Sequence, residues 1–126
     1  MSPIPMIKNY LTADKQLQDN SHEGTGAVEL YEIWKNSDFK SGIDFFDRVV
    51  VPPGSTIGFH KHGENEEMYI VLEGVGLMQI EDGEVTVGKG DMILNPPGGR
   101  HGLINNSGQN IDILVIQMSI NKQRFP

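Results

Sequence analysis

The chain has 126 residues, enough to bury one hydrophobic core and too few for two comfortable ones, so a single domain is expected. Ten Lys and Arg against 17 Asp and Glu give a net charge of −7 and a pI near 4.9, which argues against nucleic acid or an anionic membrane as partner. The absence of cysteine excludes disulfides and thiolate metal sites, so any metal must be held by nitrogen and oxygen ligands.

The N-terminal "MSPIPMIKNY" lacks a basic segment followed by a long apolar run, and no stretch approaches the roughly 18 apolar residues of a membrane span. A soluble, cytoplasmic protein is the expectation. Residues 1–24 are polar and turn-rich and read as an arm, or a short strand, leading into the domain, with His22 an exposed residue of that arm. From there apolar and β-branched runs follow at 28–35, 44–51, 55–62, 67–74, 75–80, 84–88, 91–95, 101–106 and 111–120. The turn signals "PPGS", "HGEN", "EDGE", "GKGD", "PPGGR" and "NSGQN" separate them. Fifteen glycines and seven prolines punctuate the chain too often for long helices. Many short strands at near-even spacing predict an all-β sandwich or closed barrel over residues 25–120, with 121–126 as a tail.

Chemistry concentrates between Gly58 and Gly74, in "GFHKHGENEEMYIVLEG". Side chains alternate along a strand, so His60 and His62 share a face about 7 Å apart at Cα and can converge on one ion. A hairpin partner would return an acidic side chain beside them. Pleat parity admits only one of Glu66 and Glu67 to that face. A third histidine, His101, opens a later strand after the rigid turn "NPPGGR".

Ten fixed positions carry a resemblance. Gly54, His60, His62, Glu67 and Gly74 fit the spacing G, five residues, H-x-H, four residues, E, six residues, G. Gly90, Pro96, Gly98, His101 and Asn105 fit G, five residues, P-x-G, two residues, H, three residues, N. Both patterns resemble the two conserved motifs of the cupin superfamily, over residues 54–105. The resemblance implies a double-stranded β-helix, a jelly-roll barrel, with His60, His62, Glu67 and His101 as ligands of one metal ion at its centre. It also selects Glu67 over Glu66, leaving Glu64 and Glu66 as solvated charges. Three imidazoles and a carboxylate suit a divalent transition ion, Mn, Fe, Ni, Cu or Zn, and are too nitrogen-rich for Mg or Ca.

Within the motifs, Gly54 is free to take a positive φ, and the Asp91 side chain can cap backbone amides in "GKGD". Asn105 is either a donor behind the ligands or the anchor of a buried turn. Tyr69 shares parity with Glu67 and serves core packing or reaches the cavity with its hydroxyl. One of Met78 and Gln79 should line the site. In "DFFDRVVV", Phe46 and Arg48 form one face and Phe45, Asp47 and Val49 the other; an inward Arg48 would anchor a substrate carboxylate.

Barrels of this kind host many chemistries. Four protein ligands on an ion that prefers six leave positions for water or a bidentate substrate. The expected function is a metalloenzyme acting on a small polar organic molecule, by oxygenation or C–C cleavage first and isomerisation second. The alternative is a non-catalytic small-ligand or metal binding module. A chain this short leaves open sheet edges, which predicts a homodimer joined through the arm.

Overall fold

Alternating apolar and polar residues become ten β-strands in the computed structural model, which describes residues 3–120. The strands are β1 (Lys15–Asp19), β2 (Ala27–Lys35), β3 (Ile43–Val51), β4 (Thr56–Lys61), β5 (Asn65–Glu73), β6 (Val75–Ile80), β7 (Gly83–Gly88), β8 (Met92–Asn95), β9 (Arg100–Ile104) and β10 (Ile111–Ser119). They form two antiparallel sheets, one in the order β1-β2-β3-β10-β5-β8 and one in the order β4-β9-β6-β7. This is the expected jelly-roll. The predicted tail, 121–126, lies outside the described residues.

β1 falls within the arm and pairs with β2, Lys15 opposite Tyr31 and Asp19 opposite Ala27. All five of its residues are exposed, so it buries no apolar face and leaves no hydrophobic pattern to read. Elsewhere pleat parity explains burial. On β10 Ile111, Ile113 and Val115 point inward, and Val49 and Val51 of β3 and Tyr69 and Val71 of β5 meet them. From the other sheet Ile57, Met78, Val87 and Leu103 close the core. Each such side chain contributes about 1.5–3 kcal/mol by leaving water. The opposite face of β3 carries Arg48, which makes a bidentate pair with Asp112 at 2.7 and 2.8 Å.

One irregularity positions the site. Ile57 pairs with Leu103 and His60 with His101, so Gly58 and Phe59 together stand opposite Gly102. Strict alternation would put Ile57 and His60 on opposite faces; this β-bulge puts both inside. Phe59 and Lys61 consequently point out and are exposed, while His62 is buried.

Candidate metal centre

The histidine strand β4 pairs with β9, and His60 lies directly opposite His101. The second turn is fastened to the first: His62 N–H donates to the Gly99 carbonyl at 2.9 Å, and Gly98 N–H to the Gly63 carbonyl at 3.1 Å. The path through "NPPGG" therefore fixes the depth of His101, which is buried. Gly54 takes φ 79°, and the Asp91 carboxylate accepts from Gly88 N–H at 2.7 Å, as the two turns required.

Three imidazoles converge. Nε2 of His62 lies 3.2 Å from Nε2 of His60 and 3.3 Å from Nε2 of His101. Glu67 Oε1 stands 3.2 Å from His101 Nε2 and 3.4 Å from His62 Nε2. Glu67, 6% exposed, is the inward acid of its strand, whereas Glu64 is exposed. The tautomers of two rings follow from their outer partners. His60 Nδ1–H donates to the Gly58 carbonyl at 2.7 Å and His62 Nδ1–H to Asn65 Oδ1 at 2.6 Å. A carbonyl oxygen can only accept, so the neutral rings turn bare Nε2 lone pairs toward each other. Two lone pairs 3.2 Å apart repel unless a cation lies between them. The donor set therefore fits a metal ion, and His60, His62 and His101 together could hold one.

Burial, then the neighbouring imidazoles against a raising Gly58 bond, holds His60 down at about 4. His62 is raised, first because Glu67 accepts its proton, with burial opposing. Burial alone would raise Glu67, but hydrogen bonds from His101 and His62, with their charge, hold it at about 2. Metal binding requires neutral imidazoles and an ionised carboxylate, which His60 and Glu67 already supply, while on His62 the ion must displace the proton that Glu67 favours.

Tyr69 does both things considered for it: it is core, 3% exposed, and its hydroxyl lies 3.3 Å from His101 Nε2. Asn105 holds a turn. Its amide donates to the Val51 and Gln109 carbonyls at 2.8 and 2.7 Å, and its Oδ1 accepts from Ser107. Met78 faces the core, while Gln79 lies opposite Gly102 on β9. Arg48 is spoken for by Asp112 and does not face the site. The inward face of β3 is the one carrying Phe45, Asp47 and Val49, which line a cavity of about 150 Å³ shared with Glu67, Tyr69, His22, Ser21 and Gln18. A larger hollow of about 540 Å³, between Ile7–Asp14 of the arm and Glu32 and Ile33, contains no imidazole.

Some residues of the site had no signal in the sequence. His22 is exposed as expected, yet it is not remote: its ring stacks on His60 at 3.8 Å. Asn95 stands opposite Glu67 on β8, is 5% exposed, and its Nδ2 has no hydrogen-bond partner among the described residues. Such a donor costs about 1–3 kcal/mol when left unpaired. Only knowledge of the β5–β8 register could have placed it beside Glu67.

Comparison with known proteins adds a family. A model of the Cupin domain matches residues 47–117. A protein of Thermotoga maritima named "Oxalate-binding protein" is 28% identical over 97 residues, 77% of this chain and 80% of its own length. An uncharacterized protein of Methanocaldococcus jannaschii is 32% identical over 108 residues, 86% of this chain and 77% of that one. The crystal structure of a predicted oxalate decarboxylase from Thermotoga maritima superposes with a TM-score of 0.88 at 24% identity, covering 91% of this chain and 100% of the other. At that identity the likeness speaks to the fold.

Proposed function

The chain belongs to the Cupin domain family, and on that premise we propose that it is a metal-dependent enzyme acting on a small chelating organic acid. His60, His62, Glu67 and His101 hold one divalent transition ion. The observation that carries this reading is the convergence of the three Nε2 atoms, with the Nδ1 protons of His60 and His62 tied to Gly58 and Asn65. Oxygenation or C–C cleavage ranks first among reactions and isomerisation second, by family analogy. The names of the Thermotoga relative and of the superposed structure support oxalate, or an acid of similar size, as the ligand class.

Bound there, the ion supplies a Lewis acid and, if redox-active, a centre for oxygen chemistry. The chain's own residues do the rest. Gly58 and Asn65 hold the His60 and His62 rings against rotation, so the ligand geometry is set before metal arrives. Leu30, Phe45, Val49, Ile57 and Val115 give the cavity apolar walls that thin out water beside the ligands.

A second reading, a non-catalytic carrier or sensor of the same acid, is supported by the name "Oxalate-binding protein" carried by the relative. The two are separated by measuring metal per chain in protein purified without chelators, then incubating the loaded protein with oxalate and small 2-keto acids. Loss of substrate with release of CO₂ or consumption of O₂ supports the enzyme. Saturable binding with no product under air or nitrogen supports the carrier, and less than a tenth of an ion per chain after reloading refutes both.

A further inference from the structure

Beside the ligands the barrel keeps a cavity of about 150 Å³, equal to about five water volumes at roughly 30 Å³ each. It reaches the ligand cluster at Glu67 and Tyr69 and ends against β3. Among its described lining residues there is no Lys or Arg, and Asp47 is the acid apart from Glu67. Arg48, the adjacent cation, is turned away and saturated by Asp112. Lys35 lines an adjoining hollow of about 170 Å³, which shares Phe45 and Asp47 with the cavity but none of the ligands.

We propose that Asp47 is the specificity-determining residue of this cavity, selecting metal-chelating acids whose far end carries a hydrogen-bond donor and rejecting those whose far end carries a second carboxylate. The inference rests on the metal-site reading above and names the substrate class of that site. A carboxylate oxygen of Asp47 can only accept when ionised, so it rewards a hydroxyl or amino group. A second anion placed there meets like charge between low-dielectric walls, where repulsion is poorly screened. Burial, then Glu32 and Glu67, raises the Asp47 carboxyl to about 7, which is why the comparison belongs at pH 8.

The test uses the full chain loaded with Co(II), followed by its visible spectrum, with oxalate, lactate, glycerate and malate as probes. The last three share a chelating 2-hydroxy acid and differ in a far methyl, hydroxymethyl or carboxymethyl group. Wild type should bind glycerate tightest and malate at least tenfold more weakly than lactate. Asp47→Asn should tighten malate at least fivefold, and Asp47→Leu should abolish the preference for glycerate over lactate, with metal content unchanged in both. A wild type that binds malate as tightly as lactate overturns the proposal, whether or not the variants fold. So does a probe order that is the same in all three proteins. If even oxalate leaves the spectrum of loaded wild type unchanged, the metal-site reading itself has failed, and this inference with it.

Discussion

The His22 imidazole lies flat on that of His60, ring centroids 3.8 Å apart and planes within 7° of parallel. His22 comes from the 3-10 turn Ser21–Glu23; His22 and Glu23 within it, and Asn20 just before it, take positive φ, 50°, 64° and 50°. Left-handed backbone costs roughly 1–2 kcal/mol per non-glycine residue. Hydrogen bonds from Asn20 N–H to the Gly26 carbonyl at 2.8 Å, Thr25 N–H to Thr56 Oγ1 at 2.8 Å and Thr56 N–H to the Thr25 carbonyl at 2.9 Å offset it. The turn can approach only because β4 has glycine at the bulge. A Cβ on Gly58 would strike the His22 carbonyl oxygen and lie 2.8 Å from Gly24 N.

Gly58→Ala should therefore unseat the turn, since the clash is backbone against backbone and no rotamer relieves it. A loss of about 1–3 kcal/mol is expected, the usual range for overpacking, read as a lower denaturation midpoint in urea. His22→Ala removes the ring and leaves the turn, so it should cost less than about 1 kcal/mol and keep the metal. If Gly58→Ala unfolds at the wild-type midpoint, the turn does not dock on the bulge.

Removal of a ligand is the direct test of the centre. His62→Ala should reduce bound metal from one ion per chain to a small fraction, because His62 is the imidazole whose Nε2 neighbours both others. Unchanged stoichiometry by plasma emission would sink the assignment.

Acid should strip the metal in two stages. A proton and the ion compete for the same lone pair. His62, with its proton affinity raised by Glu67, competes first, starting above the unperturbed value of about 6.5. His60, held at about 4, keeps its lone pair through mild acid and yields last. Affinity should be at least tenfold weaker at pH 5 than at pH 7.5, and weaker again below pH 4. Equal affinity at pH 5 and 7.5 in a metal titration contradicts a centre that contains His62.

The convergence of His60, His62, Glu67 and His101 was legible because motif spacing survives local irregularity, and the secondary residues were not because face assignment does not. Parity counting correctly joined Glu67 with Tyr69 on β5, where the ladder to β8 is regular. On β4 parity alone would have set Ile57 against His60, and the bulge at Gly58 and Phe59 reverses it. Which face of "DFFDRVVV" looks inward depended on its partner strand: Asp112 on β10 captures Arg48 outside and so leaves Asp47 inside. His22 and β1 were hidden for a different reason. Their segment is polar and is placed by backbone hydrogen bonds and a glycine on another strand, which no hydrophobic period records.

Asp47 should cost stability at neutral and alkaline pH. Its carboxyl is raised from 3.8 to about 7, by burial first and then by Glu32 and Glu67, so the folded state binds a proton that the unfolded chain releases. The contribution of that proton is complete below pH 3.8 and is lost as pH rises through about 7. Three units correspond to an upper bound of about 4 kcal/mol. In metal-free protein Asp47→Asn should gain about 1–3 kcal/mol over wild type at pH 8 and little at pH 4, by chemical denaturation at both. A gain of the same size at both pH values would mean that the charge is not the cause. A stabilising substitution at a residue that selects substrate is the expected form of a trade between stability and function.

Assembly through the arm is the last expectation, and the structure supplies its reasons. The arm is tethered at Lys8, whose Nζ donates to the Ile33 carbonyl at 2.8 Å, sits 4.5 Å over the Trp34 ring and lies 3.8 Å from Asp38. Tyr10 adds a contact with Arg48, 5.7 Å from ring to guanidinium. Held in this way, the arm turns its apolar residues outward, Ile4 81% and Ile7 91% exposed, with Met6 and Leu11 also bare. Its strand β1 ends the larger sheet with an edge unpaired among the described residues and an exposed Leu17. Apolar side chains beside an open edge are what a second copy covers in a symmetric pair. The full chain should be a dimer at micromolar concentration by light scattering. Ile4→Glu combined with Ile7→Glu should make it a monomer with the barrel intact, because those two side chains contribute nothing to the core. Deleting residues 1–12 should do the same at some cost in stability, since Lys8 goes with them. A full-length monomer at that concentration refutes the expectation, and a dimer that survives the double glutamate variant moves the interface away from the arm.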